Sequence, residues 1–237
     1  MADFESLRSA QMQSGVAVDE RVTSFLRRVY GWMFVGLAVT AVVAAGMASS
    51  PTMVRTLAGN PILFFGVIVA QLALVYSVSS RVGTLAPGTA AGLFLLYSAL
   101  TGVTFSLILL AYTGTSVAMA FFTTAGMFGA LALYGSTARR SLAGLGQFAF
   151  MGLVGVILAS IVGFFWHSET LQMVITLAGV IVFTCLTAYD AQRLKAMALQ
   201  VEGAQAGSYA VGGALSLYLN FINLFLMILR LLGSRRS

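Results

Sequence analysis

The sequence predicts an all-α membrane protein with seven transmembrane helices, and three observations carry that prediction. Hydrophobic residues make up 59% of the 237 and charged ones only 8%, where a soluble domain carries about 25% charge. Mean hydropathy is +0.94. The apolar residues, about 140 in all, suffice for roughly seven spans of about 20 residues each. They form continuous runs rather than the alternation that a lipid-facing barrel needs. So much apolar surface behind so few charges excludes a soluble enzyme, a disordered tail and a disulfide scaffold.

Residues 1–29 are polar and mixed in charge, with no apolar stretch ahead of a small-residue cleavage site, so a cleaved signal peptide is not expected. Within them, Val22, Phe25, Leu26 and Val29 share one helical face. Val18 to Val29 therefore reads either as an amphipathic helix on the membrane surface or as a solvated lead-in. Residues 30–233 form the seven-helix domain, and 234–237 a basic tail.

The first span is Tyr30 to Ser50, stopped by Pro51 and a polar loop with Arg55, Asn60 and Pro61. The second, Ile62 to Ser80, ends at Arg81. The third, Pro87 to Ala111, opens on a proline at a tolerated first-turn position. The fourth and fifth are Ser116 to Thr137 and Gly144 to Trp166, divided by Arg139 and Arg140. The sixth, Leu171 to Ala188, ends in Tyr189, Asp190, Arg193 and Lys195. A Gly- and Ala-rich loop, Val201 to Gly213, leads to the seventh, Ala214 to Leu232. Small residues four apart, Ala41, Ala45 and Ser49 on the first span and Gly155, Ala159 and Gly163 on the fifth, predict close helix packing.

The basic residues sit at span ends, as topology signals do. With the N-terminus inside, nine fall on that side (Arg8, Arg21, Arg27, Arg28, Arg81, Arg139, Arg140, Arg193 and Lys195). Four fall outside: Arg55, Arg230, Arg235 and Arg236. A cytoplasmic N-terminus and an external C-terminus are expected. The net charge of +6 then belongs to lipid headgroups and not to nucleic acid, for which no basic, aromatic-interleaved platform exists.

Catalytic chemistry finds little purchase. His167 and Cys185 are each the sole residue of their type, which excludes a His/Cys zinc site and any intrachain disulfide. No nucleophile has a histidine base in a buried run, and no glycine-rich phosphate loop occurs. The expectation is a non-enzyme without a cofactor.

Asp190 is the one acid at the edge of an apolar run. An ionisable group at membrane depth suggests an ion pathway or proton relay. A helix-end carboxylate paired with Arg193 three residues on is the other reading, and the residue alone leaves both open. The last span adds Ser216, Asn220, Asn223 and Arg230 on one helical face. A polar stripe on an apolar helix turns from lipid, so the last helix should be central, surrounded by the other six, with Ser216, Asn220 and Asn223 buried. Interhelical hydrogen bonding alone would also account for Asn220 and Asn223.

The segment Ala188-Tyr189-Asp190-Ala191-Gln192-Arg193, followed by Leu215-Ser216-Leu217-Tyr218-Leu219-Asn220-Phe221-Ile222-Asn223 and the run through Arg230 to Gly233, resembles the Bax inhibitor (transmembrane Bax inhibitor motif) family, in its bacterial branch. The likeness spans about Arg21 to Gly233. It implies three helix pairs around a central last helix in a bacterial inner membrane, and a pH-sensitive calcium leak. The implied sensor is a pair of aspartates on the last two helices with an arginine on the second. Asp190 matches the first aspartate, as gate and transient Ca2+ contact, and Arg81 the arginine. Asn220 stands where the second aspartate is usual, so one titratable group replaces a coupled pair. The family also implies an alternative, a non-transporting interaction protein that modulates a membrane protease or a stress or cell-death response.

Overall fold

Inside a bilayer every backbone N–H and C=O must find its partner within the chain, so continuous apolar runs become helices. The computed structural model describes residues 2–166, 168–201, 203 and 205–235, with side chains from Val18 onward. Met1, His167, Arg236, Ser237 and the Arg8 side chain lie outside that description. The described residues form eight helices: α1 (Ala2–Ala48), α2 (Pro51–Gly59), α3 (Pro61–Arg81), α4 (Pro87–Ala111), α5 (Gly114–Thr137), α6 (Ala143–Phe165), α7 (Glu169–Gln200) and α8 (Gln205–Leu232). All but α2 are long and apolar enough to cross a membrane, α1 through Val18–Ala48.

Local chemistry sets the boundaries. The three prolines stand at the first turns of α2, α3 and α4, where a missing N–H costs nothing. Asn60, Thr113 and Ser168 cap α3, α5 and α7, their side-chain oxygens accepting from Leu63 N at 3.1 Å, Ser116 N at 3.3 Å and Leu171 N at 3.3 Å.

Several sequence expectations change. The polar loop after the first span is itself helical, as α2. Val18 to Val29 is no separate surface helix but part of a continuous α1. Its Val22, Phe25 and Val29 face is the expected one, yet protein covers it, because these side chains join the core of the bundle. The largest correction lies between the last two spans. α7 runs on to Gln200, and α8 starts at Gln205 within the stretch read as a loop. Its glycines serve packing: a Cβ on Gly213 would strike the Leu194 side chain, and one on Gly212 would meet Val82 Cγ2 at 2.5 Å. Ala41 and Ala45 on α1, and Ser49 just after it, are exposed. The close approach comes instead from α4, where a Cβ on Gly102 would lie 2.7 Å from the Thr40 carbonyl.

Burial ranks the spans. In their most apolar windows 6% of α3 and 17% of α6 is buried, against 44% of α7 and 61% of α8. α8 packs against α1, α4, α5 and α7 and touches α3, while α6 packs chiefly on α7. The two ends of the bundle differ. At one, Ser208 Oγ donates to the Leu85 carbonyl at 2.6 Å, joining the start of α8 to the α3–α4 turn. Gln192 ties α7 to the α5–α6 turn there, its Nε2 donating to the Arg140 carbonyl at 2.8 Å and its Oε1 accepting from Leu142 N at 2.7 Å. At the other end the chain after α8 returns to α4 and α5, where Thr113 N donates to the Ser234 carbonyl at 3.2 Å.

A buried carboxylate between two cavities

Asp190 does not close a helix. It sits well inside α7, held there by two close approaches. Gly135 lets α5 rest on the Ala188 carbonyl, where a Cβ would collide with it. Gly146 lets α6 lie against the Tyr189 ring, whose Cγ would be 2.5 Å from an added Cβ. α7 thus turns Asp190 toward α8. Across the interface Ser216 and Asn220, one turn apart, both donate to the same oxygen: Ser216 Oγ to Oδ2 at 2.7 Å and Asn220 Nδ2 to Oδ2 at 2.8 Å. Asp190 is 7% exposed and Asn220 6%. A buried carboxylate is tolerated when such donors replace water, and bonds to an ionised acceptor are among the stronger ones.

The remaining expected site residues divide. Ser216 and Asn223 are half-buried and not fully enclosed. Asn223 Nδ2 turns back to the Leu219 carbonyl of its own helix at 2.8 Å. Arg230 is exposed in the last turn of α8, far from Asp190. Arg81 is also exposed, ending α3. Among the described residues neither Arg81 nor Arg193 forms an ion pair with Asp190. The structure therefore brings Asp190, Asn220 and Ser216 together and leaves Arg81 outside that contact.

Two cavities meet at this carboxylate. The smaller, about 140 Å³, is lined by Ser79, Val82, Tyr209 and Gly212 together with Asp190, Arg193 and Ser216. The larger, about 1160 Å³, is a cleft between α3 and α6 floored by α7 and α8, with Asp190, Arg193, Ser216, Asn220 and Asn223 again in its lining. Among the described residues no three His, Cys, Asp or Glu side chains cluster. One carboxylate with a hydroxyl and an amide oxygen falls well short of the six to eight oxygens of a resident calcium site.

Two features escaped the sequence reading. Gln192 lies in the segment that carries the family resemblance, yet nothing in its neighbours announces that it would cap a distant turn. The opposite face of α8 holds a second polar cluster. Tyr218 Oη and Thr40 Oγ1 are 2.6 Å apart, and Thr40 Oγ1 also reaches the Ser98 carbonyl at 2.8 Å. Edge-on contacts from Phe94 and Tyr97 enclose the Tyr218 ring. A single phenol in an apolar run was the only signal.

Seven apolar helices and a carboxylate held within them define an integral membrane protein. The family model described as "Inhibitor of apoptosis-promoting Bax1" matches residues 22–237, and the chain belongs to the Bax inhibitor family. It is 49% identical over 216 residues to the inner membrane protein YbhL of Escherichia coli K12, a match covering 90% of this chain and 92% of that one. A Borreliella burgdorferi protein is 42% identical, covering 90% and 93%. One from Deinococcus radiodurans is 38% identical, covering 98% and 99%.

Proposed function

We propose that the chain is a passive cation pathway, with calcium as cargo, in which Asp190 is the coordinating and gating carboxylate. The observation that carries this reading is the position of Asp190 where two cavities meet, in contact with α8 through a single oxygen. Ser216 and Asn220 orient it; a cation passing between the cavities would exchange with those donors for the carboxylate. Arg81 then contributes positive charge at the same end of the bundle and not an ion pair. α8 is the axis of the bundle in this reading, and no catalytic step or cofactor is involved. The likeness to an inner membrane protein of Escherichia coli supports placement in a bacterial inner membrane, and the nine-to-four distribution of basic residues supports a cytoplasmic N-terminus. Calcium entry into proteoliposomes is the test. Flux in the wild type that Asp190→Asn removes is the expected result. A folded wild type with no flux overturns the pathway and leaves the interaction-protein reading.

A further inference from the structure

The cleft between α3 and α6 has a chemistry of its own. Its flanking helices are the two least buried spans, and neither packs appreciably on the other. Its walls carry large side chains that protein does not cover, among them Phe65, Leu72, Phe150 and Ile157. In a bilayer those walls meet lipid.

The few polar side chains of the cleft, on its walls and on its floor, turn their donors back to the protein. Gln71 Nε2 donates to Thr101 Oγ1 at 3.3 Å, Ser160 Oγ to the Val156 carbonyl at 2.7 Å and Asn223 Nδ2 to the Leu219 carbonyl. Ser216 and Asn220 donate to Asp190. Each of these side chains gives a donor to the protein, so hydrocarbon laid over the floor strands few polar groups.

One end of the cleft is different. Arg193 is exposed and lines it beside Gly146 and Tyr189. The exposed Arg81 ends the α3 wall, and the exposed Arg139 and Arg140 precede the α6 wall. The α5–α6 turn is drawn to α7 by Gln192. Four guanidinium groups thus belong to the ends of the elements that form this mouth, and among the described residues Asp190 is the only acid in the lining. The volume, about 1160 Å³, exceeds the roughly 300–1,000 Å³ of ordinary small-molecule sites.

We propose that this cleft is a binding site for an anionic glycerophospholipid, with an acyl chain between α3 and α6 and the phosphate at Arg193. A basic mouth between transmembrane helices at headgroup level favours anionic lipid over zwitterionic lipid. The site stands on cleft geometry and charge; it shares the Asp190 end of the cleft with the proposed cation route, but lipid binding is tested without any flux.

The test uses the full chain in phosphatidylcholine vesicles. Phe150→Trp places a fluorophore on the cleft wall; Trp32 and Trp166 do not line it and set the background, measured in the parent protein. Dibrominated phosphatidylglycerol and dibrominated phosphatidylcholine are compared as quenchers of the added tryptophan. An association preference of about fivefold for the anionic lipid is expected, the worth of one arginine at the membrane surface. Adding Arg193→Ala should bring the ratio close to one with the thermal midpoint unchanged. Inorganic phosphate in the buffer should not displace the lipid. Equal quenching by the two lipids, a preference that survives Arg193→Ala, or displacement by phosphate alone would each overturn the proposal. Should Phe150→Trp fail to fold, Leu72→Trp on the opposite wall gives the same readout.

Discussion

The two faces of α8 handle buried polarity in opposite ways. On one, Ser216 and Asn220 hold the Asp190 carboxylate beside two cavities. On the other, Tyr218 is fully enclosed, its hydroxyl against Thr40 and its ring between Phe94 and Tyr97. Both faces satisfy their polar atoms, so hydrogen bonding alone does not tell them apart. What differs is the space at the polar group itself. Asp190 lines two cavities and has room to exchange partners, whereas the Tyr218 ring is enclosed and fixes the position of the helix, although its partner Thr40 borders a separate apolar cavity of about 450 Å³.

That contrast predicts different losses. Asp190→Asn should reduce calcium entry to the protein-free background while the folded fraction stays high, since the amide keeps the volume and the Ser216 contact. Retained flux would show that the cavity face is structural as well. Tyr218→Ala should do the reverse. It removes an enclosed aromatic ring and should cost about 3–5 kcal/mol, read as a lowered midpoint in denaturant or heat. Flux per folded molecule should be unchanged. Tyr218→Phe keeps the ring and deletes the hydroxyl opposite Thr40. Thr40 retains the Ser98 and Gly36 carbonyls as acceptors, so about 1 kcal/mol is expected. A larger loss would mean that the hydroxyl pair, and not the ring, anchors α8 to α1.

The same contrast explains what could be read from residues alone. The seven spans were legible because lipid imposes one rule on all of them: a long apolar run must be helical. Asp190, Ser216 and Asn220 were legible because polar groups at membrane depth are costly enough to stand out. The ends of α7 and α8 were not, because a helix leaving the membrane regains charge and glycine and then looks like a loop. Whether Gly212 and Gly213 bend a chain or admit a neighbour depends on Val82 and Leu194, which are distant in sequence. Arg81 shows the limit of resemblance. Its position at the end of α3 matches the expectation, but its contact with Asp190 depends on helix tilt, which no local pattern encodes. The cleft was invisible for a related reason: it exists because α3 and α6 do not meet.

The smallest expected effect is a change of slope. With asparagine at 220, Asp190 is the only carboxyl in the α7–α8 contact, and the amide cannot share its proton. Any pH dependence of flux should therefore follow one titrating group. Asn220→Asp would put a second carboxyl where Nδ2 now lies, 2.8 Å from Asp190 Oδ2. Two carboxyls so close hold one proton between them and titrate as a pair in two macroscopic steps. The variant should keep near-wild-type flux at its most permissive pH and show a second, separable step in its pH profile. Asn220→Ser serves as the control, because it shortens the donor without adding a charge and should leave a single step. The measurement is initial calcium entry into proteoliposomes for the three proteins at closely spaced pH values. A two-step profile already present in the wild type would place a second titrating group in the pathway.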